Sequence, residues 1–245
     1  MISYPPIIDS ISTVKLRDEV TQFNPLKANG FTTNKWIGIN DKPENTIEKY
    51  IQDSFDFILS DSSIITDKPV GFEWWIESLE DCNTITIHSN HDDTYRRKNN
   101  GVLKYPIVST ETYLTNHQDP TTILDTKHGE HWEEYINLPP TEAVFSAPEK
   151  GKFVVSDPRY LRGIFGRRSS RLSLCYDVWH YKPENLNRVG ISTNIWDCRF
   201  YKQRPTLPMQ WLGKTNMLKL SIFKHTITKK FPTGYNAGET WKVTQ

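Results

Sequence analysis

Between residues 70 and 183 the chain falls into short runs rich in β-branched and aromatic residues, with Pro, Gly, Asn or Asp standing between one run and the next. The runs cover 70–79, 84–88, 106–115, 121–125, 142–147, 152–156 and, longer, 171–180. Segments of strand length punctuated by turn formers predict a mainly β sandwich or barrel of short strands. Within 84–88, Thr84, Thr86 and His88 alternate with Ile85 and Ile87. That strand therefore has one polar and one apolar face, and its polar face carries His88 inward if the apolar face packs outward. Trp74 and Trp75 are adjacent, so a strand sends them to opposite sides.

Around this β region the signals differ. Residues 46–59 repeat Ile47, Tyr50, Ile51, Phe55, Ile58 and Leu59 near a 3.6 period, which predicts an amphipathic helix with Asn45 as its N-cap. Residues 1–45 hold Pro5, Pro6, Pro25 and Pro43 among short apolar runs and read as an extended arm. After Pro183 only 218–227 reads as a further strand, and the tail from 232 to 245 reads as peripheral. The expected organisation is one domain over 1–245. Residues 1–69 form an arm and helix packed on the barrel, 70–183 the core, and 184–245 a C-terminal extension.

The chain has 245 residues and a formal net charge of +1, so no global electrostatic case exists for nucleic acid or an anionic membrane as partner. Cys82, Cys175 and Cys198 are widely spaced and form no CxxC pair, which reads as reduced thiols and not as a disulfide framework. The first residues lack a basic flank and a cleavage site, and no window approaches the length of a membrane span. A cytoplasmic location is the default expectation.

The residues that carry chemistry occur in a fixed order. Gly71-Phe72-Glu73-Trp74-Trp75 is followed by His88-Ser89-Asn90-His91-Asp92-Asp93, then by the segment 105–115 and by Asp119-Pro120-Thr121-Thr122. Gly151-Lys152-Phe153-Val154-Val155 leads into Tyr160-Leu161-Arg162-Gly163, and nine residues after Arg162 comes Arg171-Leu172-Ser173. Over more than 100 residues this order resembles the Fe(II)/2-oxoglutarate oxygenases. The resemblance implies a double-stranded β-helix of the jelly-roll or cupin type with a few flanking helices. It also implies Fe(II) and 2-oxoglutarate as cofactors, a His-x-Asp pair and a distant His as metal ligands, and an Arg-x-Ser holding the co-substrate carboxylate. By position His88 corresponds to the first ligand, Arg171 and Ser173 to the carboxylate site, and Tyr113 to its wall.

The chemistry explains these residue types. Two His and one carboxylate on one face of Fe(II) leave positions open for the 2-oxo acid and dioxygen. The planar fork of Arg pairs with both oxygens of a remote carboxylate, and a hydroxyl two residues on lies on the same strand face. This chain departs from the pattern at two ligands. Asn90 stands for the Asp, and Arg162 stands for the distal His. Asn offers a neutral carbonyl oxygen, and the guanidinium of Arg stays protonated and cannot ligate.

Three readings follow. In the favoured one the iron centre is degenerate, Arg162 pairs with Asp92 or Glu111 and plugs the metal position, and the protein binds a partner or a small organic acid without oxidising it. In the second, an active dioxygenase uses a shifted ligand set drawn from His88, His91 and Asp92 or Asp93, completed by His128, His131 or His180. In the third, the protein is a structural β-sandwich without a small-molecule site. The stretch His91-Asp92-Asp93 with Arg96 and Arg97 reads more simply as a solvated charged turn, and Arg167-Arg168-Ser169-Ser170-Arg171 as a solvated hairpin.

Overall fold

Two antiparallel sheets organise the chain in the computed structural model, which describes residues 2–4, 10–23, 34–59, 65, 67–79, 85–116, 120–138, 140–164, 171–184, 219–222 and 240–244. In chain order the described elements begin with β1 (Ile2–Tyr4), α1 (Ser10–Phe23), β2 (Lys35–Gly38), α2 (Thr46–Leu59), β3 (Gly71–Leu79), β4 (Ile85–His88) and α3 (Asp93–Lys98). They continue with β5 (Val108–Tyr113), β6 (Thr121–His128), β7 (Tyr135–Ile136), β8 (Glu142–Ser146), β9 (Phe153–Ser156), β10 (Tyr160–Ile164), β11 (Arg171–Trp179), β12 (Lys219–Ile222) and β13 (Thr240–Thr244). One sheet runs β1-β9-β5-β11-β3-β2. The other runs β12-β13-β8-β6-β10-β4, with β7 paired to β6. The mainly β reading is thus the observed one, and the strands read from the sequence lie within about two residues of β3, β4, β5, β8, β9 and β11.

Period-two alternation in the first sheet separates two environments. Phe72, Trp74 and Ile76 of β3 and Leu174, Tyr176 and Val178 of β11 join one apolar core with Leu16 and Val20 of α1 and Ile47, Ile51, Phe55 and Ile58 of α2. Each fully buried side chain of this size stabilises by about 1.5–3 kcal/mol before entropy is charged against it. The other face of the same strands carries Glu73, Trp75, Glu77, Ser109, Glu111, Tyr113, Arg171, Ser173, Cys175 and Asp177, most of them buried. Trp74 and Trp75 lie on opposite faces as expected, and both are buried.

Helix α2 occupies the range the periodicity indicates. The Asn45 side-chain oxygen accepts from the Glu48 N–H at 2.8 Å, the N-cap bond expected of it. Two hydroxyl pairs tie the helix to the sheet, Tyr50 to Thr112 at 2.8 Å and Ser54 to Tyr176 at 2.9 Å. Leu59, counted among the apolar positions of the sequence pattern, is 44% exposed, one residue past the last inward-facing turn.

Four expectations need correction. The N-terminal region is not an extended arm. It holds helix α1, which packs Leu16 and Val20 into the core, and edge strands β1 and β2. The stretch from His91 is not a solvated turn. His91 and Asp92 are 8% and 6% exposed, and Asp92 caps α3 by accepting from the Tyr95 N–H at 2.8 Å. Thr121–Asp125 extends to His128. The tail is not peripheral throughout, because β13 pairs with β8 in the second sheet. Residues 165–170, with the Arg167–Arg168 pair, lie outside the described residues, as do Cys82 and Cys198, while Cys175 is a buried free thiol. No described helix is long and apolar enough to cross a membrane.

Candidate functional site

The polar face of the first sheet runs along β3, β5 and β11, and several residues singled out in the sequence lie on it or beside it. Tyr113, Arg171 and Ser173 are on the face, Asn90 is bonded to Asp177, and His88 and Arg162 lie around a small cavity that Glu77 and Glu111 also line. His88, at the end of β4, is the direct cross-strand partner of Arg162 on β10, and Arg162 faces Ile123 of β6 on its other side. The register of β10 shifts on both flanks of Arg162. Such irregularities re-aim side chains and are common beside functional sites. His88, Arg162, Glu77, Glu111 and Thr121 surround a cavity of about 10 Å³, space on the scale of a single water molecule.

Asn90 lies just beyond β4, and its side chain is committed to the first sheet. The amide nitrogen donates to both carboxylate oxygens of Asp177, at 3.0 and 3.1 Å, and lies 3.1 Å from the Ser109 hydroxyl. An ionised carboxylate only accepts, so Asp177 fixes which way the amide points. Both oxygens of Asp92 are taken up. One oxygen caps α3, and the other accepts from the Tyr181 hydroxyl at 2.9 Å. His91 turns to Ser89, whose hydroxyl oxygen lies 3.3 Å from His91 Nδ1 and 2.6 Å from His128 Nδ1. His128 is buried, and burial pushes its imidazole down to about 4. His131 faces Val102 in an isolated bridge, and His180 is exposed just past the end of β11. Among the described residues no three His, Cys, Asp or Glu side chains are grouped so that they could hold a metal ion.

Arg171 opens β11 and is 1% exposed. Its Nη2 donates to the Glu111 carboxylate and, at 2.6 Å, to the Thr121 hydroxyl, while its Nε reaches the Ser173 hydroxyl at 3.3 Å. Thr121 in turn donates to the second Glu111 oxygen at 2.8 Å and accepts from the Tyr113 hydroxyl at 3.1 Å. The guanidinium carbon lies 4.8 Å from the centre of the Tyr113 ring. Burial opposes both charges, but the pair outweighs it. Arg171, helped by Arg162, holds the Glu111 carboxyl below its usual range, and Glu111 holds the Arg171 guanidinium above its own.

Arg162 was expected to pair with Asp92 or Glu111. Both carboxylates are engaged elsewhere, Glu111 by Arg171 and Asp92 by the α3 cap and Tyr181. Burial opposes the charge of Arg162, and the field of Asp177, Glu111 and Glu77 retains it, although no described carboxylate pairs with it directly. Glu77 is 5% exposed, one of its oxygens has no hydrogen-bond partner, and burial together with Glu111 pushes its carboxyl up to about 7. Glu73, farther along β3, is likewise pushed up to about 7 by burial and Asp177.

No protein-family model matches the chain, and no curated protein does. Solved structures do. A prolyl-4-hydroxylase from Pseudomonas putida aligns over 77% of this chain and 92% of its own, with a TM-score of 0.50 and 14% identity. The non-heme α-ketoglutarate-dependent carbocyclase SnoK of nogalamycin biosynthesis aligns over 72% and 78%, with a TM-score of 0.52 and 10% identity. The fold is that of the Fe(II)/2-oxoglutarate oxygenases. At these identities the likeness is one of architecture, and function has to be argued from the site.

Sequence reasoning found His88, Asn90, Arg162, Arg171, Ser173 and Tyr113 but gave no role to Thr121, Glu77 or Asp177. A signal for Glu77 was available. In β3, Glu73 and Glu77 alternate with Phe72, Trp74 and Ile76, and an acid in the middle of a strand that is apolar on its other face has to point into the sandwich. Asp177 could be read in the same way against Tyr176 and Val178. Thr121 carries no such mark.

Proposed function

We propose that this protein uses the oxygenase fold without oxygenase chemistry, as a binding or scaffold protein whose inter-sheet cavity is filled by its own charged side chains. One observation carries the reading. Arg162 pairs across the strands with His88 where the resemblance calls for the distal His, and two residues after His88, Asn90 spends its amide on Asp177. The residues present do not fit Fe(II). A guanidinium brings a positive charge and no lone pair, and Asn90 turns a donor toward its neighbours. Of the three positions only His88 retains the ligand type the pattern calls for, and Asn90 keeps no more than a neutral carbonyl oxygen. The shifted set fares no better, because Asp92 is held by the α3 N-terminus and Tyr181, Asp93 is paired with Arg96 and Arg97, and His91 faces Ser89. A cavity of about 10 Å³ is also far smaller than a dicarboxylic acid requires.

Anaerobic calorimetry with Mn(II) or Fe(II), with and without 2-oxoglutarate, tests the proposal on wild type and His88→Ala. The expected result is no saturable metal binding by either protein. Tight binding to wild type that His88→Ala abolishes would overturn it and make the protein an oxygenase with a non-standard ligand set.

A further inference from the structure

The surroundings of Glu111 are those of a bound carboxylate. One oxygen accepts from the Arg171 guanidinium and the other from the Thr121 hydroxyl at 2.8 Å. Thr121 is oriented by accepting from Arg171 at 2.6 Å and from Tyr113 at 3.1 Å, and Arg171 is steadied by Ser173 and by the Tyr113 ring beneath it. Glu111, Thr121, Tyr113, Arg171 and Ser173 are each at most 4% exposed. A guanidinium with an adjacent hydroxyl donor and an aromatic floor is a recognition site for a planar anion. Here the anion is covalently part of the chain, delivered from β5 onto β11, its neighbour in the sheet.

We propose that Arg171, Thr121, Tyr113 and Ser173 form a small-carboxylate site whose resident ligand is the side chain of Glu111. The site is sealed in cis, and wild type is closed at Arg171 to free organic acids. The inference rests on the functional reading above only in treating the inter-sheet cavity as closed to a co-substrate. It makes a size-specific demand. Glu111→Ala removes the Cγ methylene and the carboxylate, which together match acetate, so the truncated protein should take acetate into the vacated space and rebuild the ion pair. No bond is made or broken.

The test is thermal unfolding of wild type, Glu111→Ala, Glu111→Gln and the double variant Glu111→Ala/Arg171→Met, with sodium acetate titrated against sodium chloride at equal ionic strength. Stranding a buried guanidinium should lower the midpoint of Glu111→Ala by roughly 6–20 °C. Acetate should then raise it saturably, as binding to the folded state alone requires. Wild type, the isosteric Glu111→Gln, and the double variant should not respond. Formate, which lacks the methyl group, should be weaker. If Glu111→Ala does not fold in chloride, the readout becomes its refolding yield, which acetate should restore and chloride should not. Absence of specific acetate rescue by either readout overturns the proposal. So does a wild-type midpoint that rises with acetate or 2-oxoglutarate and loses that response in Arg171→Met, because the site would then accept free acids past Glu111. Metal binding by wild type would overturn the functional reading while leaving the acetate result to stand or fall by itself.

Discussion

Asn90→Asp restores a carboxylate where the oxygenase pattern has one, and the geometry predicts that this harms the protein in a pH-dependent way. The Asn90 amide nitrogen lies 3.0 and 3.1 Å from the two oxygens of Asp177. Aspartate would place a carboxylate oxygen in the same position. Two buried carboxylates about 3 Å apart do not both ionise, and the pair retains one proton. If the second ionisation is raised by about two to three units above the unfolded value near 3.9, at about 1.36 kcal/mol per unit, the cost at neutral pH is about 3–4 kcal/mol. The sign follows from a folded pKa raised above the unfolded one. Below about pH 4 the cost is absent, it grows as the pH rises toward the raised value, and above that it is constant. Urea unfolding of wild type and variant at pH 4.5, 6 and 7.5 should therefore show a deficit that widens from about 1 kcal/mol to that figure. Equal stability at pH 7.5 would mean that Asn90 and Asp177 do not interact as described. If Mn(II) added at pH 7.5 erased the deficit, a divalent cation would be bridging the new carboxylate and His88, and the non-metal reading of the site would fail.

Glu77→Gln should act in the opposite direction. With its carboxyl pushed up to about 7 by burial and Glu111, wild type loses stability as the pH rises from about 4.5 to 7, by up to about 3 kcal/mol. The variant escapes that loss and should gain on wild type between pH 5 and pH 8 in urea unfolding, whereas a variant that fell further behind would mark Glu77 as an ionised partner of Arg162. His128, held down to about 4 by burial, is neutral in the folded protein, so its contribution is complete above about pH 6.5 and is lost as the pH falls from there toward 4, up to about 3 kcal/mol. An NMR titration of the His128 ring should show no protonation above pH 5, and a midpoint near 6.5 would contradict its enclosure.

The parts of this structure legible in the sequence are those set by local periodicity. Helix α2 and its Asn45 cap follow from a 3.6 repeat and one Asx residue. The polar faces of β3 and β11 follow from alternation, interrupted in β3 by Trp75. The nine-residue step from Arg162 to Arg171 spans one strand connection, and with His88 it brings three residues around Glu111. Helix α1 was missed because its described core contacts are few, Leu16 and Val20, within a stretch of Ser, Thr and charged residues that shows little apolar stripe. His91 and Asp92 were misread because a run of charged residues looks solvated unless one of them caps a helix. The partner of Glu111 was not legible at all. It depends on β5 lying beside β11 and on Thr121 arriving from the other sheet, which are tertiary facts.

The two departures from the oxygenase pattern make electrostatic sense together. Asp177, Glu77 and Glu111 point into one buried region, and such charges persist only when compensated. Arg171 compensates Glu111 directly. Arg162 supplies a second positive charge in the field of Asp177 and Glu77, and Asn90 gives Asp177 a neutral donor in place of a repelling acid. Arg162→His alone would withdraw a permanent charge from Asp177 and Glu77, and Asn90→Asp alone would add a fourth acid near Arg162 while pressing it against Asp177. Each reversion should therefore cost stability by itself. Making both leaves Asp177 still opposed to the restored carboxylate, so rebuilding an iron centre in this chain would also require removal of Asp177.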